Sequence, residues 1–202
     1  MPQTIILAKG EQAVFGYGSL LCKRSMEKTF GQLYRQPLAI CGVTGWRRTW
    51  DVFVPNAGKY LDDRGVAPKN IIYLNVRPAL GTSVNGVLYV VPAVAMTDFD
   101  AREWVYNRID TTELLNGVEV RGGHAWMYVG KPEFLVGDPQ RADFAVRQTY
   151  IDVVDEGLAD LGQEFRAEYQ ASTDAVPGHL VIQDRPASLQ MAPYPSHSSG
   201  SQ

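Results

Sequence analysis

Cysteine, histidine and surplus positive charge are all scarce in this 202-residue chain, and each scarcity removes a class of function. Two cysteines, Cys22 and Cys41, cannot build a disulfide framework, and neither belongs to a paired zinc-ligand spacing. The three histidines, at 124, 179 and 197, form no i, i+4 pair and have no cysteine or carboxylate at metal-ligand spacing, so no metal is expected. A formal charge of −3 leaves no electrostatic footprint for nucleic acid or an anionic membrane. No apolar run approaches the length of a membrane span, and the N-terminus lacks a basic segment followed by an apolar one. The expectation is a cytoplasmic protein without a nucleic-acid or membrane partner.

What is present is an ordinary globular balance, 45% hydrophobic and 20% charged residues, in a chain long enough for one self-sufficient core. Residues 1–190 read as one domain. Residues 191–202, MAPYPSHSSGSQ, lack any periodic apolar face and read as a disordered tail. Strand signals dominate the front: 37–52, kinked at Gly42 or Gly45; 70–78 and 84–92, joined through ALGTS as a hairpin with both faces covered; and 118–130, a strand or a pair joined at Gly122-Gly123. Helical signals lie over 97–108, with Thr97 as N-cap, and over 144–170, bent at Gly157 or Gly162. This predicts an α+β fold, a small mixed β-barrel with flanking helices.

One stretch breaks its strand. In AVFGYGSLL, Val14 and Phe15 extend into Gly16-Tyr17-Gly18-Ser19 before the chain turns apolar again at Leu20. Either the backbone makes a tight, partly buried turn there, or it approaches something closely. Successive N–H groups at a strand end can form a concave anion site. Neither a dinucleotide fingerprint nor a phosphate-loop motif is present, and the bland alternative is a simple turn.

A second stretch carries a carboxylate. If 97–108 is helical, Phe99, Glu103 and Tyr106 share one side, and an acid beside an aromatic face is desolvated and made more basic. That is what a general base requires. The bland reading makes Glu103 a rim residue paired with Arg102 or Arg108. Other chemistry has thinner support. Ser19 and Ser25 lie in no nucleophile-elbow pattern, a Cys22–His124 pair rests on no motif, and Arg47 and Arg48 read as cover for a surface strand or as partners for a substrate anion.

Loop and carboxylate, in this order, resemble the γ-glutamylcyclotransferase-like family of γ-glutamyl cyclotransferases, ChaC enzymes and AIG2 proteins. VFGYGSL is similar to the family's Tyr-Gly-Ser substrate loop, and GWRRTWDV to the aromatic-basic strand after it. NGVLYVVPAVAMTDFDAREWVYNR resembles the stretch in which Asp-x-x-Glu supplies the catalytic acid/base, and TYIDVVDEG the helix start whose tyrosine contacts substrate. The likeness spans roughly residues 13 to 160. Segment 53–70 has no register in it, and the glycine-rich continuation of glutathione-specific members is replaced by WVYNR.

The resemblance implies a small-molecule γ-glutamyl substrate whose α-amine attacks its own γ-carbonyl, closing 5-oxoproline and releasing an amine or amino acid without metal or cofactor. It implies Glu103 as catalytic residue, and Phe15, Gly16, Tyr17, Gly18, Ser19, Leu20 and Tyr150 as substrate-binding residues. Glutathione, γ-glutamyl amino acids, γ-glutamyl-lysine and γ-glutamyl-protected metabolites present the same head group, so the leaving group stays open. Two readings of other classes stand beside it: a non-catalytic binding or regulatory module on the same fold, and a Cys22-dependent amidohydrolase.

Overall fold

The computed structural model describes residues 2–137 and 143–187. The expected tail at 191–202 lies outside the described residues. Twelve strands follow in chain order: β1 Gln3–Ile6, β2 Glu11–Gly16, β3 Ala39–Pro55, β4 Tyr60–Leu61, β5 Asn70–Pro92, β6 Tyr106–Asp110, β7 Leu115–Asn116, β8 Val118–Arg121, β9 Ala125–Gly130, β10 Phe144–Arg147, β11 Val181–Ile182 and β12 Arg185–Pro186. Among the described residues four α-helices accompany them: α1 Lys23–Phe30, α2 Met96–Arg102, α3 Gln148–Leu161 and α4 Gln163–Ala171.

Eight of the strands form one mixed sheet whose main path runs β11-β10-β5-β2-β9-β6, with β3 branching from β5 and β7 paired with β3. The sheet curls into a half-barrel and its ends do not meet, so the α+β class holds while the barrel stays open. β2 sits at its centre, antiparallel to β5 and parallel to β9. Both its faces are buried: Val14 packs toward the helices with Tyr89, Phe99 and Leu158, while Ala13 and Phe15 pack toward Val43, Leu88 and Met127 on the other side. A strand covered on both faces reads as continuously apolar, which is why VFG and VLYVV carry no polar alternation.

The hairpin expected between 70–78 and 84–92 does not form. Both runs belong to the single strand β5, and both pair with β3, from Pro55↔Asn70 to Ala39↔Leu88. ALGTS is a bulge in a continuing ladder. Residues 79–82 loop out opposite Gly45, whose φ of +87° only glycine adopts easily, and Thr82 Oγ1 bonds the carbonyls of Trp46 and Ala79 at 2.8 and 2.7 Å. The β3 kink is therefore at Gly45, not Gly42. At Gly122-Gly123 the chain does divide, but β8 pairs with β1 and β9 with β2 and β6, so the two halves go to different sheets.

The helices also begin and end elsewhere than expected. α2 starts after Ala95, without Thr97 as its cap, and stops at Arg102; Tyr106 already belongs to a strand. Residues 144–147 are strand β10, and the long helical pattern breaks at Gly162 (φ +91°). Gly157 continues α3 undisturbed. It is needed for contact, because a Cβ there would lie 2.6 Å from the main chain of Leu21 and Cys22. α3 thus packs backbone to backbone on the turn that follows β2.

Beneath that turn lies Arg48, a fully buried guanidinium. Its Nε donates to the Tyr17 carbonyl at 2.9 Å, Nη1 to Ser172 Oγ at 2.8 Å, and Nη2 to Asn85 Oδ1 at 3.0 Å and to the Asn85 carbonyl. The Tyr169 ring covers it at 4.1 Å. Among the described residues no carboxylate pairs with it. Burial pulls its pKa down to about 10, still charged at neutral pH. The sequence reading of a surface-strand arginine is corrected here; only Arg47 is partly exposed, paired with Asp174 at 2.6 Å.

Arg48→Met would leave the Tyr17 and Asn85 carbonyls buried without their donor, and is expected to cost about 3 kcal/mol in a urea titration. Gly157→Val should cost about 2 kcal/mol by overpacking the α3 contact, whereas Gly178→Ala, with nothing within 4 Å of its added Cβ, should stay within about 0.5 kcal/mol of the parent. Equal stability of all three variants would refute this account of the packing.

Candidate active site

After Gly16 the chain leaves the sheet, and Ser19–Leu21 form a single 3-10 turn closed by Leu21 N–H to Gly18 O at 2.9 Å. The N–H groups of Ser19 and Leu20 have no partner inside so short a turn. The peptide between Tyr17 and Gly18 is set by Arg48. Its carbonyl points down to the guanidinium, and because C=O and N–H of a trans peptide oppose each other, the Gly18 N–H points away from Arg48.

The two glycines answer different constraints. A Cβ at Gly16 would lie 2.8 Å from Leu20 Cβ, so Gly16 serves the turn's own closure and does not line the cavity beside it. A Cβ at Gly18 would lie 3.2 Å from the Tyr150 hydroxyl and intrude on that cavity. The turn is thus tight at one glycine and closely approached at the other.

The cavity holds about 510 Å³. Phe15, Tyr17, Gly18, Ser19, Leu20, Glu103 and Tyr150 all line it, so every sequence-predicted site residue but Gly16 converges there. Tyr150 stands on the first turn of α3, two turns before Gly157 on the same face, edge-on to Tyr73 at 4.8 Å and to Trp50 at 6.0 Å. Tyr17 and Tyr106 each send a hydroxyl to a carbonyl, of Tyr128 at 2.7 Å and Leu74 at 2.8 Å. Burial pushes the phenols of Tyr17, Tyr106 and Tyr150 upward, so all three stay neutral donors.

Glu103 reaches the cavity by a route the sequence reading missed. It is the residue at which α2 unwinds (φ −93°, ψ 33°), its N–H bonding Phe99 O and its carbonyl accepting from Tyr106 N–H, both at 2.8 Å. That turn, and not a shared helix face, brings Phe99, Glu103 and Tyr106 together. It also folds Arg102 and Glu103 onto each other, with Nε to Oε1 at 2.9 Å.

Arg102 spends all five of its N–H groups. Beyond Glu103 it bonds Ser19 Oγ at 2.9 Å, Ser25 Oγ at 3.0 Å, the Ser25 carbonyl at 2.7 Å and Thr29 Oγ1 at 2.5 Å. It therefore ties the Glu103 carboxylate to the 3-10 turn and to α1. The rim pairing with Arg102 exists, but the Glu103 side chain is only 15% exposed and is no rim residue. Desolvation pushes the Glu103 pKa above the ordinary carboxylate value, and the Arg102 charge recovers only part of that shift. Oε2 has no hydrogen-bond partner among the described residues.

Sequence reasoning named Tyr106 and Arg102 only as neighbours of Glu103, and did not find Tyr73 in the wall, nor Lys59, Tyr60 and Arg147 at its outer end. Cys22 is buried and does not line the cavity, while His124 is exposed and held by Asp110 at 2.6 Å, so the Cys–His pair is not assembled. Among the described residues, no group of three His, Cys, Asp or Glu side chains could hold a metal ion.

No protein-family model and no curated protein sequence matches the chain. Solved structures do match. A γ-glutamyl cyclotransferase superposes with a TM-score of 0.51 at 14% identity, over 83% of this chain and 92% of its own. YkqA from Bacillus subtilis gives 0.53 at 17% identity over 80% of this chain, which spans about half (54%) of YkqA. A yeast γ-glutamyl cyclotransferase specific to glutathione gives 0.50 at 12% identity, over 81% of this chain and 96% of that one. The half-barrel and its helices are accordingly a γ-glutamylcyclotransferase-like fold.

Proposed function

We propose that the protein is a γ-glutamyl cyclotransferase, releasing 5-oxoproline and a free amine or amino acid from a γ-glutamyl substrate. The observation that carries this reading is the Glu103 carboxylate, desolvated in the cavity that the Tyr17–Leu20 turn also lines, and tethered to that turn through Arg102.

The reaction is intramolecular. The substrate's α-nitrogen bonds to its own γ-carbon and the amide C–N bond breaks. The α-ammonium loses two protons in becoming a lactam N–H, and the departing nitrogen gains two and leaves as an ammonium, the base carrying a proton between them. Because amine and carbonyl share a chain, a cavity that keeps the chain folded supplies much of the acceleration by proximity. The difficult step is deprotonation. An α-ammonium has a pKa of about 8 and a free glutamate about 4.3. Burial of Glu103 narrows that gap, and Oε2 is the oxygen free to take the proton and return it to the leaving nitrogen.

Charge on the substrate is met by the turn. Main-chain N–H groups of Gly18, Ser19 and Leu20 are the donors for the α-carboxylate or for the carbonyl oxygen as it becomes tetrahedral. The Arg48 charge beneath them has no anionic partner among the described residues and favours negative charge above. The Tyr150 hydroxyl, close to Gly18, completes the grip on the head group.

Glu103→Gln is expected to lower kcat for 5-oxoproline formation by about 10²–10⁴-fold with an unchanged circular dichroism spectrum. A folded Gln variant with near-parental turnover would falsify the assignment. In the parent, kcat/KM should fall as pH drops through the raised Glu103 pKa, since the base must be ionised, and that acidic limb should lie above the ordinary carboxylate range. Gly18→Val should raise KM at least about tenfold by filling the space before Tyr150; an unchanged KM would detach the turn from substrate.

A further inference from the structure

The outer end of the cavity carries a charge that the reaction proposed above does not use. Among the described residues three cations line the cavity: Arg102, Arg147 and Lys59. Arg102 is saturated by Glu103 and its hydroxyl and carbonyl partners. Arg147 is fixed by Asp184 at 2.7 Å and Thr149 at 2.6 Å, and lies over the Tyr60 ring at 3.4 Å. The Lys59 ammonium has no anionic partner among the described residues; its one neighbour of note is the Tyr60 ring at 5.4 Å. Among the described residues Glu103 is the one acid in the lining, and Arg102 already holds it.

Lys59 is also held in place. It lies in segment 53–70, and the Asn56 side chain knots this segment by bonding Tyr60 N–H, Tyr60 O and Pro68 O at 2.8–2.9 Å. The Lys59 N–H bonds Asn56 O at 2.9 Å, and its carbonyl accepts from Ala187 N–H at 3.0 Å, where β4 pairs with β12. The main chain therefore fixes the rim position from which the Lys59 side chain extends, while its four-carbon stem stays free to reach.

Among the lining residues, Lys59, Trp104 and Thr149 are the exposed ones and mark the mouth, whereas the Gly18 turn is buried at the inner end. A γ-glutamyl head group is zwitterionic and brings no net charge to its own end. A substrate whose head lies on the turn directs its leaving group toward the mouth, where the uncompensated cation stands. We propose that Lys59 receives a carboxylate of the leaving group, so that the substrates are γ-glutamyl amino acids or peptides rather than γ-glutamyl amines. This rests on the cyclotransferase reading and adds to it a specificity-determining residue.

The test compares γ-glutamyl-alanine with its C-terminal amide, using the full chain and measuring 5-oxoproline. The parent is expected to show kcat/KM about tenfold higher for the acid, a figure moderated by the exposure of Lys59. Added salt should shrink that ratio. Lys59→Met should bring it close to one, mainly through KM, and Lys59→Arg should preserve it. A parental ratio near one, or a ratio that Lys59→Met leaves unchanged, would overturn the Lys59 assignment while the cyclotransferase reading stood, since 5-oxoproline would still form. Formation of 5-oxoproline from neither compound would defeat the cyclotransferase reading, and the Lys59 assignment with it.

Discussion

The ion pair between Arg102 and Glu103 is the contact on which the site depends, because it answers two opposed demands on one carboxylate. A base for an ammonium must be poorly solvated, and a poorly solvated carboxylate tends to take up a proton and lose its function. The adjacent guanidinium keeps the charged form accessible, yet desolvation still outweighs it, so the net shift is upward. The helix end makes the pair possible. Along a continued helix, neighbouring side chains diverge by about 100°. Unwinding at Glu103 lets two consecutive residues turn toward one another, and the remaining nitrogens of Arg102 carry the position of the carboxylate across to Ser19 and Ser25.

A second cation orders the other half of the site from below. Arg48 lies under the turn without a carboxylate partner among the described residues, an arrangement whose desolvation cost only a full set of acceptors can offset. Those acceptors are mostly carbonyls and hydroxyls, and one of them is Tyr17 O. Holding that carbonyl down leaves the following N–H directed the opposite way, so the polarity of the turn is fixed before any ligand arrives. The α3 contact at Gly157 holds the far side of the same turn against the helix that carries Tyr150. Preorganised donors of this kind need no rearrangement when charge develops.

Much of this was legible in the sequence, and the failures have identifiable causes. A strand running into Gly-Tyr-Gly-Ser announced a turn with a close approach, and the placement of Gly18 and Glu103 beside one cavity agrees with it. The fold class was readable from strand and helix signals. The hairpin was not, because ALGTS has a turn's composition, and only the partner strand, with Gly45 opposite, makes it a bulge. Helix α2 was overextended because no glycine or proline follows Arg102, and the i, i+4, i+7 pattern of Phe99, Glu103 and Tyr106 arises from a turn and a strand start. Arg48 was misplaced because burial of an arginine is decided by tertiary acceptors that leave no local mark.

The cavity divides into parts that arise differently in the chain. Its inner end is built largely from β2, the turn after it and the α2 terminus, locked by the central sheet and by two saturated arginines. Its mouth is assembled from Lys59, Trp104 and Thr149, which belong to a knotted loop, the connection after α2 and the start of α3. Along β2 successive side chains enter opposite buried cores, Val14 one and Ala13 and Phe15 the other, so a substitution at any of these positions meets packed neighbours. Those at the mouth are exposed and their contacts are local: Trp104 meets Phe134 edge-on at 5.0 Å, and Thr149 Oγ1 bonds Asp184 at 2.7 Å. Segment 53–70 lacked a register in the sequence for a physical reason: it is held by the Asn56 side chain and by main-chain bonds, which leave no apolar periodicity to read.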